Sequence, residues 1–129
     1  MGAVQTTDAK GRQAERLAQL YLLCCGYQTV ASRFKTPVGE IDLIVRNFFP
    51  WRAPVLAFVE VKRRPTLDEA AESIQARQRQ RIAQAADWYL QRHPPAPKYA
   101  LRYDAVFVVP GAWPRHIENA WPGSGPSAW

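Results

Sequence analysis

Two strand-like runs that contain charged residues constrain this chain more than any other feature. Residues 40–46 and 55–62 are rich in β-branched and other apolar side chains, which is typical of buried strands. Charged residues interrupt both runs, with Asp42 in the first and Glu60 and Lys62 in the second. Such side chains are rarely buried unless they have a partner. The two runs therefore predict adjacent strands whose charged residues have a specific role.

Strand periodicity places these charges on common faces. Because alternate residues of a strand share a face, Glu40 and Asp42 lie on one side of the first strand, and Glu60 and Lys62 share a side of the second. The opposite side of the first strand is expected to carry Ile41, Leu43 and Val45. Each strand should thus separate its charged residues from its apolar ones.

An antiparallel hairpin with its tip at Trp51 brings the charges of the two strands opposite each other. In that register Asp42 faces Glu60, and Glu40 faces Lys62. Directly opposed Cβ atoms lie about 5 Å apart, so the two carboxylates can share one divalent cation, and oxygen ligands suit Mg²⁺ or Mn²⁺. Such a metal activates water while a nearby lysine stabilises the transition state. The alternative is a solvent-facing salt bridge, which contributes little stability.

The N-terminal part of the chain predicts a helix and then an extended segment. Thr6, Thr7 or Asp8 can cap the helix, and apolar residues follow at helical spacing. Gly26 is expected to end the helix, and residues 27–33 look extended.

A second helix begins after the second strand-like run. Residues 66–69, Thr-Leu-Asp-Glu, form a capping box, in which a hydroxyl and a carboxylate three residues later bind free backbone amides. We expect one helix from there to about Gln91. Its buried stripe is predicted to comprise Ala71, Ile74, Gln78, Ile82, Ala85, Ala86 and Tyr89. Further strands are expected at 101–109 and 115–118.

This order of helix, strands, long helix and strand indicates an α/β domain with a mixed sheet. Hydrophobic residues make up 47% of the chain and charged residues 22%, which favours a globular protein over a disordered one. We expect one domain over residues 1–122 and a frayed C-terminal tail over 123–129.

Cysteine usage and hydropathy narrow the protein class further. Cys24 and Cys25 are adjacent, which excludes a disulfide framework, and no Cys/His spacing indicates a zinc site. No apolar run approaches about 18 residues, and the N-terminus has no apolar signal-peptide core. We therefore expect a cytoplasmic protein with reduced thiols that does not associate with membranes.

The charge of the chain favours a polyanionic partner. Lys and Arg total 17 and Asp and Glu 11, a formal net charge of +6. Residues 1–64 hold ten basic and five acidic residues, so most of the excess lies in the half that also contains the carboxylates. Arginine suits bidentate phosphate contacts. Nucleic acid is one explanation of this charge, and solubility alone is the other.

Two motifs, Gly-Glu-Ile-Asp-Leu-Ile at 39–44 and Phe-Val-Glu-Val-Lys-Arg at 58–63, resemble the YraN-like family of bacterial predicted endonucleases. That family is similar to archaeal Holliday junction resolvases and belongs to the PD-(D/E)xK nuclease superfamily. Residues 11–15, 102–106 and 116–120 match in the same order, so the resemblance covers nearly the whole chain.

The resemblance implies a restriction-endonuclease-like fold and Mg²⁺- or Mn²⁺-dependent hydrolysis of phosphodiester bonds in structured or branched DNA. It implies that Asp42 and Glu60 bind the metal and that Lys62 positions or activates the attacking water. Glu15, on the first helix, would support the metal site, and Glu40 would flank it. No small-molecule cofactor is implied, and a homodimer would suit a symmetric junction.

Departures from the family pattern concern the substrate contacts. Gln78 stands where the family often has lysine, and Ser32 where it often has asparagine. We expect the DNA backbone to contact Arg33, Lys35, Arg63, Arg64, Arg77 and Arg79. The helix arginines have an alternative role as a solvated helix face.

The loop at 47–54, which we call the aromatic loop, is longer and more aromatic than usual for the family. Its Phe48, Phe49 and Trp51 could stack on bases, or pack against the domain or a second subunit. Two other functions therefore stay open beside the nuclease. One is a nucleic-acid-binding module that does not cut, and the other is an interaction protein that binds a partner through this loop.

Overall fold

The computed structural model describes residues 7–121. Its elements in chain order are α1 (Thr7–Cys24), β1 (Tyr27–Thr36), β2 (Gly39–Asn47), β3 (Val55–Arg63), α2 (Leu67–Glu72), α3 (Ala76–Arg92), β4 (Ala100–Val108) and β5 (Arg115–Ile117). The strands form one sheet in the order β1-β2-β3-β4-β5, in which only β3 and β4 are parallel. The predicted α/β class with a mixed sheet is confirmed and is consistent with a restriction-endonuclease-like fold. The tail predicted over 123–129 lies outside the described residues.

Helices cover both faces of the sheet. On one face α1 packs through Ala14, Ala18 and Leu22, and on the other α3 packs through Ile82 and Ala86. The central strand β3 is buried on both faces, which explains its nearly continuous apolar sequence. Within residues 7–121 no helix is long and apolar enough to cross a membrane.

The predicted hairpin register is confirmed over the paired part of β2 and β3. Four pairs, from Leu43 with Val59 to Arg46 with Leu56, have the offset that a tip at Trp51 requires. The pairing ends there, so Glu40 does not pair with Lys62 as predicted.

The face prediction is wrong at Ile41, which packs with Ile44 on the α3 side, whereas Leu43 packs on the α1 side. The alternation of side chains between the two faces of β2 is interrupted at Asp42. Arg33 of β1 lies opposite Asp42, because the flanking residues pair as Ser32 with Leu43 and Phe34 with Ile41. Arg33 has a left-handed backbone with φ 49°, which interrupts the regular pleat. The irregular step places Asp42 at the point where β2 and β3 separate.

The single long helix predicted after the capping box is two helices. Thr66 caps α2 as expected, since its hydroxyl accepts a hydrogen bond from the Glu69 amide at 3.2 Å. Ser73 then ends α2, because its hydroxyl donates to the Ala70 carbonyl at 2.6 Å, and Gln75 is extended. The break changes the buried face, so Ala70 is buried and the predicted Ala71 is exposed.

A buried polar network attaches β5 and the segment after it to β4. Asp104 is fully buried and accepts two hydrogen bonds from Arg102, both at 2.8 Å, and one from the Asn119 amide at 3.0 Å. His116 Nε2 lies 2.8 Å from the same carboxylate. Burial opposes ionisation, but the hydrogen bonds from His116 and Arg102 hold the pKa of Asp104 below its usual value. Residues 102–106 and 116–120, which match the family pattern, therefore stabilise the fold through this network.

Candidate active site

A groove of about 380 Å³ opens at the end of the sheet where β2 begins and β3 ends. The start of α1 and the first turn of α3 form its sides. Its lining is rich in charged residues and consists of Lys10, Gly11, Ala14, Glu15, Glu40, Asp42, Glu60, Val61, Lys62, Arg63, Arg64 and Gln78. The groove thus contains all the carboxylates that the sequence singled out.

Asp42 and Glu60 meet in this groove. Asp42 Oδ2 accepts a hydrogen bond from the Val61 amide at 2.8 Å, just beyond the last backbone pair of β2 and β3. Glu60 is only 5% exposed. The two carboxyl groups lie in the same groove, close enough for the Asp42 charge to raise the pKa of Glu60. The structure therefore brings together the two carboxylates predicted to face each other.

The pKa values of this pair follow from its surroundings. Burial raises the pKa of Asp42, although the Val61 amide and the Glu60 carboxyl oppose the shift. Burial and the neighbouring Asp42 charge raise the pKa of Glu60 to about 8. Glu60 therefore keeps its proton to a higher pH than an isolated glutamate does.

Lys62 and Gln78 hold the same oxygen of Glu60. Lys62 Nζ lies 3.1 Å from Glu60 Oε1, and Gln78 Nε2 donates to that oxygen at 2.8 Å. Lys62 is predicted from the sequence, but Gln78 is a site residue that the prediction of the site missed. The sequence did contain an indication of its role, because Gln78 is an amide within the otherwise apolar stripe predicted for the helix after the second strand-like run. Gln78 orients Glu60 from α3, across the groove from α1.

Glu15 lies on the α1 side of the groove and has a cationic partner. Arg33 Nη1 is 3.9 Å from Glu15 Oε1, and the Glu15 side chain is only 18% exposed. Arg33, predicted to contact phosphate, is thus paired with the carboxylate predicted to support the metal site. Among the described residues, no three His, Cys, Asp or Glu side chains are grouped closely enough to hold a metal ion. Glu15 therefore contributes to the lining, whereas Asp42 and Glu60 form the compact pair.

The other predicted phosphate contacts divide between two locations. Arg63 and Arg64 line the groove. Lys35 lies 3.8 Å from Glu40, and both side chains are largely exposed. On α3, Arg77 is exposed and lines a separate cavity, and Arg79 is half-buried.

Lys10 also lines the groove, although its sequence neighbourhood suggested only a solvated charge. The pattern Asp8-Ala9-Lys10 matches acid-x-Lys, but it lies on a helix and gives no indication of the distant strands. The approach of α1 to the end of β3 brings Lys10 to this position.

The donor set of the groove fits a hard divalent cation. Asp42 and Glu60 offer carboxylate oxygens, and neither His nor Cys is among the lining residues. Mg²⁺ and Mn²⁺ prefer such oxygen ligands and keep several water molecules when few carboxylates bind them. A cation would also neutralise the charges of these two neighbouring carboxylates.

Comparison with known proteins gives the family of the chain. A model of the uncharacterised protein family UPF0102, the YraN-like family, matches residues 14–108. A UPF0102 protein of Methylorubrum extorquens is 52% identical over 90% of this chain and 87% of its own length. A UPF0102 protein of Methylobacterium nodulans is 50% identical over 90% and 86%, and one of a Chelativorans species is 48% identical over 89% of both chains. This chain therefore belongs to the UPF0102 family.

Proposed function

We propose that this protein is a metal-dependent endonuclease that hydrolyses phosphodiester bonds in structured or branched DNA. The observation that carries the proposal is that the half-buried Asp42 and the buried Glu60 lie beside Lys62 in one groove. Placing two acids and a lysine in one largely buried cluster costs folding free energy, and such costly clusters are typical of functional sites. The basic residues at the groove supply the charge that a polyanionic substrate requires.

Asp42 and Glu60 would hold Mg²⁺ or Mn²⁺ as oxygen ligands. The ion, when bound, supplies Lewis acidity toward water and a phosphoryl oxygen. The Val61 amide and Gln78 keep the two carboxylates in place before the substrate arrives. Such preorganisation lowers the cost of reorganising the site during the reaction.

Lys62 would act on the reacting phosphate. Its ammonium group is held 3.1 Å from Glu60 and its side chain is 15% exposed, so it is oriented and still reaches the groove. A fixed cation stabilises the negative charge that develops on a phosphoryl oxygen and lowers the pKa of nearby water. Lys10, Arg63 and Arg64 would bind flanking phosphates and position the strand.

The test is cleavage of branched, flapped and linear DNA by the full chain with Mg²⁺ or Mn²⁺. The variants are Asp42→Asn, Glu60→Gln and Lys62→Met, and Glu72→Gln is the matched control because Glu72 is an exposed acid on α2. We expect the site variants to lose about 100-fold or more in cleavage rate and the control to cut like the wild type. Binding of uncut DNA in EDTA should stay within a few-fold of wild type.

Two results would overturn the proposal. One is the lack of metal-dependent cutting of every DNA by the wild type. The other is full activity of Glu60→Gln, since a contaminating nuclease would then account for the cleavage. DNA binding without cleavage by the wild type would instead assign the chain as a non-catalytic nucleic-acid-binding module.

A further inference from the structure

We propose that a second groove, at the opposite end of the sheet from the carboxylates, binds an unpaired nucleic-acid strand by base stacking. This inference rests on the proposed function and deepens it, because it names the substrate class as a duplex joined to a single-stranded arm. The groove has a volume of about 400 Å³ and lies between the aromatic loop and the segment before β4.

Hydrogen bonds close the aromatic loop into a defined shape. Asn47 Nδ2 donates to the Ala53 carbonyl at 2.6 Å, and Asn47 Oδ1 accepts from the Val55 amide at 3.0 Å. The Phe48 amide donates to the Gly26 carbonyl at 2.9 Å, which ties the loop to the turn between α1 and β1. The loop is therefore held in place at both of its ends.

Gly26 also provides the space for Phe49. An ideal Cβ at Gly26 would lie 1.9 Å from Phe49 Cε2, so any side chain there would displace the ring. The Phe49 ring in turn stacks on the Trp51 ring, with centroids 4.7 Å apart and planes 22° from parallel. Trp51 therefore rests on a ring that is itself anchored to the fold.

Trp51 is 75% exposed and lies beside the groove, where its ring stacks on Phe49, which lines it. Exposed aromatic residues held on a rigid base are typical stacking platforms for nucleobases, whose faces are accessible only in unpaired strands. A regular duplex hides these faces, so the arrangement favours a single strand.

Cations beside the stacked rings supply the complementary charge. Arg46, Arg52 and Lys98 line the groove, and none of the lining residues within the described chain is acidic. Arg46 donates to the neutral Gln28 Oε1 at 3.1 and 3.0 Å, which orients its guanidinium group without cancelling its charge. Arg52 lies 5.6 Å from the centre of the Phe49 ring. Cations and stacked rings together match the phosphates and bases of a single strand.

The position of this groove relative to the carboxylates suits one continuous substrate. The aromatic loop precedes β3, and Glu60 lies near its other end. Glu60 is six residues after Pro54 along the strand, which corresponds to about 20 Å. A branched substrate could therefore place a duplex at the carboxylates and its unpaired arm at Trp51.

The test measures binding of fluorescein-labelled 15-nucleotide oligo-dT, oligo-U and a 15-base-pair duplex by anisotropy in EDTA, where no metal-dependent cleavage occurs. Trp51→Ala should weaken binding of the unpaired strands about 5- to 100-fold and duplex binding little. Trp113→Ala is the matched control, because Trp113 is 85% exposed and lies before β5.

The Arg52→Ala Lys98→Ala double variant tests the charges of the groove and should reduce the slope of log Kd against log salt concentration by about 1 to 2. Arg115→Ala, which removes an exposed cation of β5, should weaken binding less.

Comparison of oligo-dT with oligo-U shows whether the groove binds DNA, RNA or both. Tighter binding of either oligonucleotide than of the duplex, lost in Trp51→Ala, supports the proposal. It is overturned if no unpaired strand binds, if Trp51→Ala binds like wild type, or if Trp113→Ala loses as much. The fate of the proposed nuclease activity is separate. Metal-dependent cleavage without Trp51-dependent binding would overturn this inference alone, and Trp51-dependent binding without cleavage would overturn the nuclease alone.

Discussion

The carboxylate of Asp42 accepts a hydrogen bond from the backbone amide of Val61 at 2.8 Å. This bond lies just past the last backbone pair of β2 and β3, so a side chain continues the connection between the strands where their ladder ends. One consequence is that Asp42 is fixed beside Glu60. The other is that the end of the sheet opens into a groove instead of closing as a regular hairpin.

Replacement of Gln78 by alanine should weaken metal binding more than it weakens the chemical step. Gln78 positions Glu60 through one hydrogen bond, and loss of such outer contacts typically costs 10- to 100-fold in metal affinity. We expect the Mg²⁺ concentration for half-maximal cleavage to rise by about that factor, with the rate at saturating Mg²⁺ closer to wild type. Calorimetric Mg²⁺ titration gives a second readout that does not require activity. Gln80→Ala, at an exposed position of α3, is the control, and equal Mg²⁺ affinity in all three proteins would contradict the prediction.

The metal-free protein should lose stability as the pH rises toward 8. The pKa of Glu60 is raised from 4.5 to about 8, so between these values the folded state binds more protons than the unfolded state. The free energy of unfolding therefore falls with increasing pH over this range. Urea unfolding in EDTA should show the wild type declining relative to Glu60→Gln, whose neutral amide does not titrate.

Magnesium should reverse this loss at pH 8 in the wild type, because a ligand that binds only the folded state stabilises it. The same addition should have little effect on Glu60→Gln. Glu72→Gln is expected to follow the wild type throughout. A difference between wild type and Glu60→Gln that stays constant from pH 5 to 8 would refute the raised pKa.

Asp104→Asn should destabilise the fold strongly at neutral pH and less in acid. Removal of one partner from a buried ion pair typically costs about 3–5 kcal/mol, since Arg102 loses its main partner and keeps only the exposed Glu118 at 3.7 Å. Because the folded pKa of Asp104 is lowered, its stabilisation is present above the unfolded pKa near 4 and is lost as the pH falls through the folded value. Urea unfolding from pH 3 to 7 should show the gap to wild type closing at low pH. Asp87→Asn, at an exposed position of α3, should show no such gap.

Gly26→Ala should cost more stability than Gly111→Ala, although both glycines have positive φ angles of 96° and 78°. Alanine at Gly111 meets no atom within 4 Å, so only the backbone conformation is penalised, by about 1 kcal/mol. At Gly26 the added methyl group overlaps the Phe49 ring, which should cost about 1–3 kcal/mol more. Urea unfolding compares the two variants. Equal losses would show that the ring moves freely, which would also weaken the case for a rigid Trp51 platform.

The sequence allowed accurate prediction of some features that local interactions determine, but not of all of them. The Thr66 N-cap and the hairpin register at Leu43 follow from short stretches of chain, because a cap needs one hydroxyl near a helix start, and a turn with its flanking alternation defines which residues can pair. The continuation of α2 into α3 was wrong because Ser73 hydrogen-bonds the backbone of its own helix, and a periodic apolar pattern gives no indication of this.

The sequence predicted that Asp42, Glu60 and Lys62 come together, because one hairpin register brings the two strand ends side by side, although the regular pairing ends at Leu43 and Val59. Only the tertiary structure decided which other residues join them. Gln78 arrives on α3 and Lys10 on α1, through packing of these helices against opposite faces of the sheet, and Glu15, which the family resemblance implied, arrives with Lys10. The periodicity of a helix sequence predicts which of its faces is buried. It does not predict which strand end the helix packs beside, because that depends on how the whole core packs.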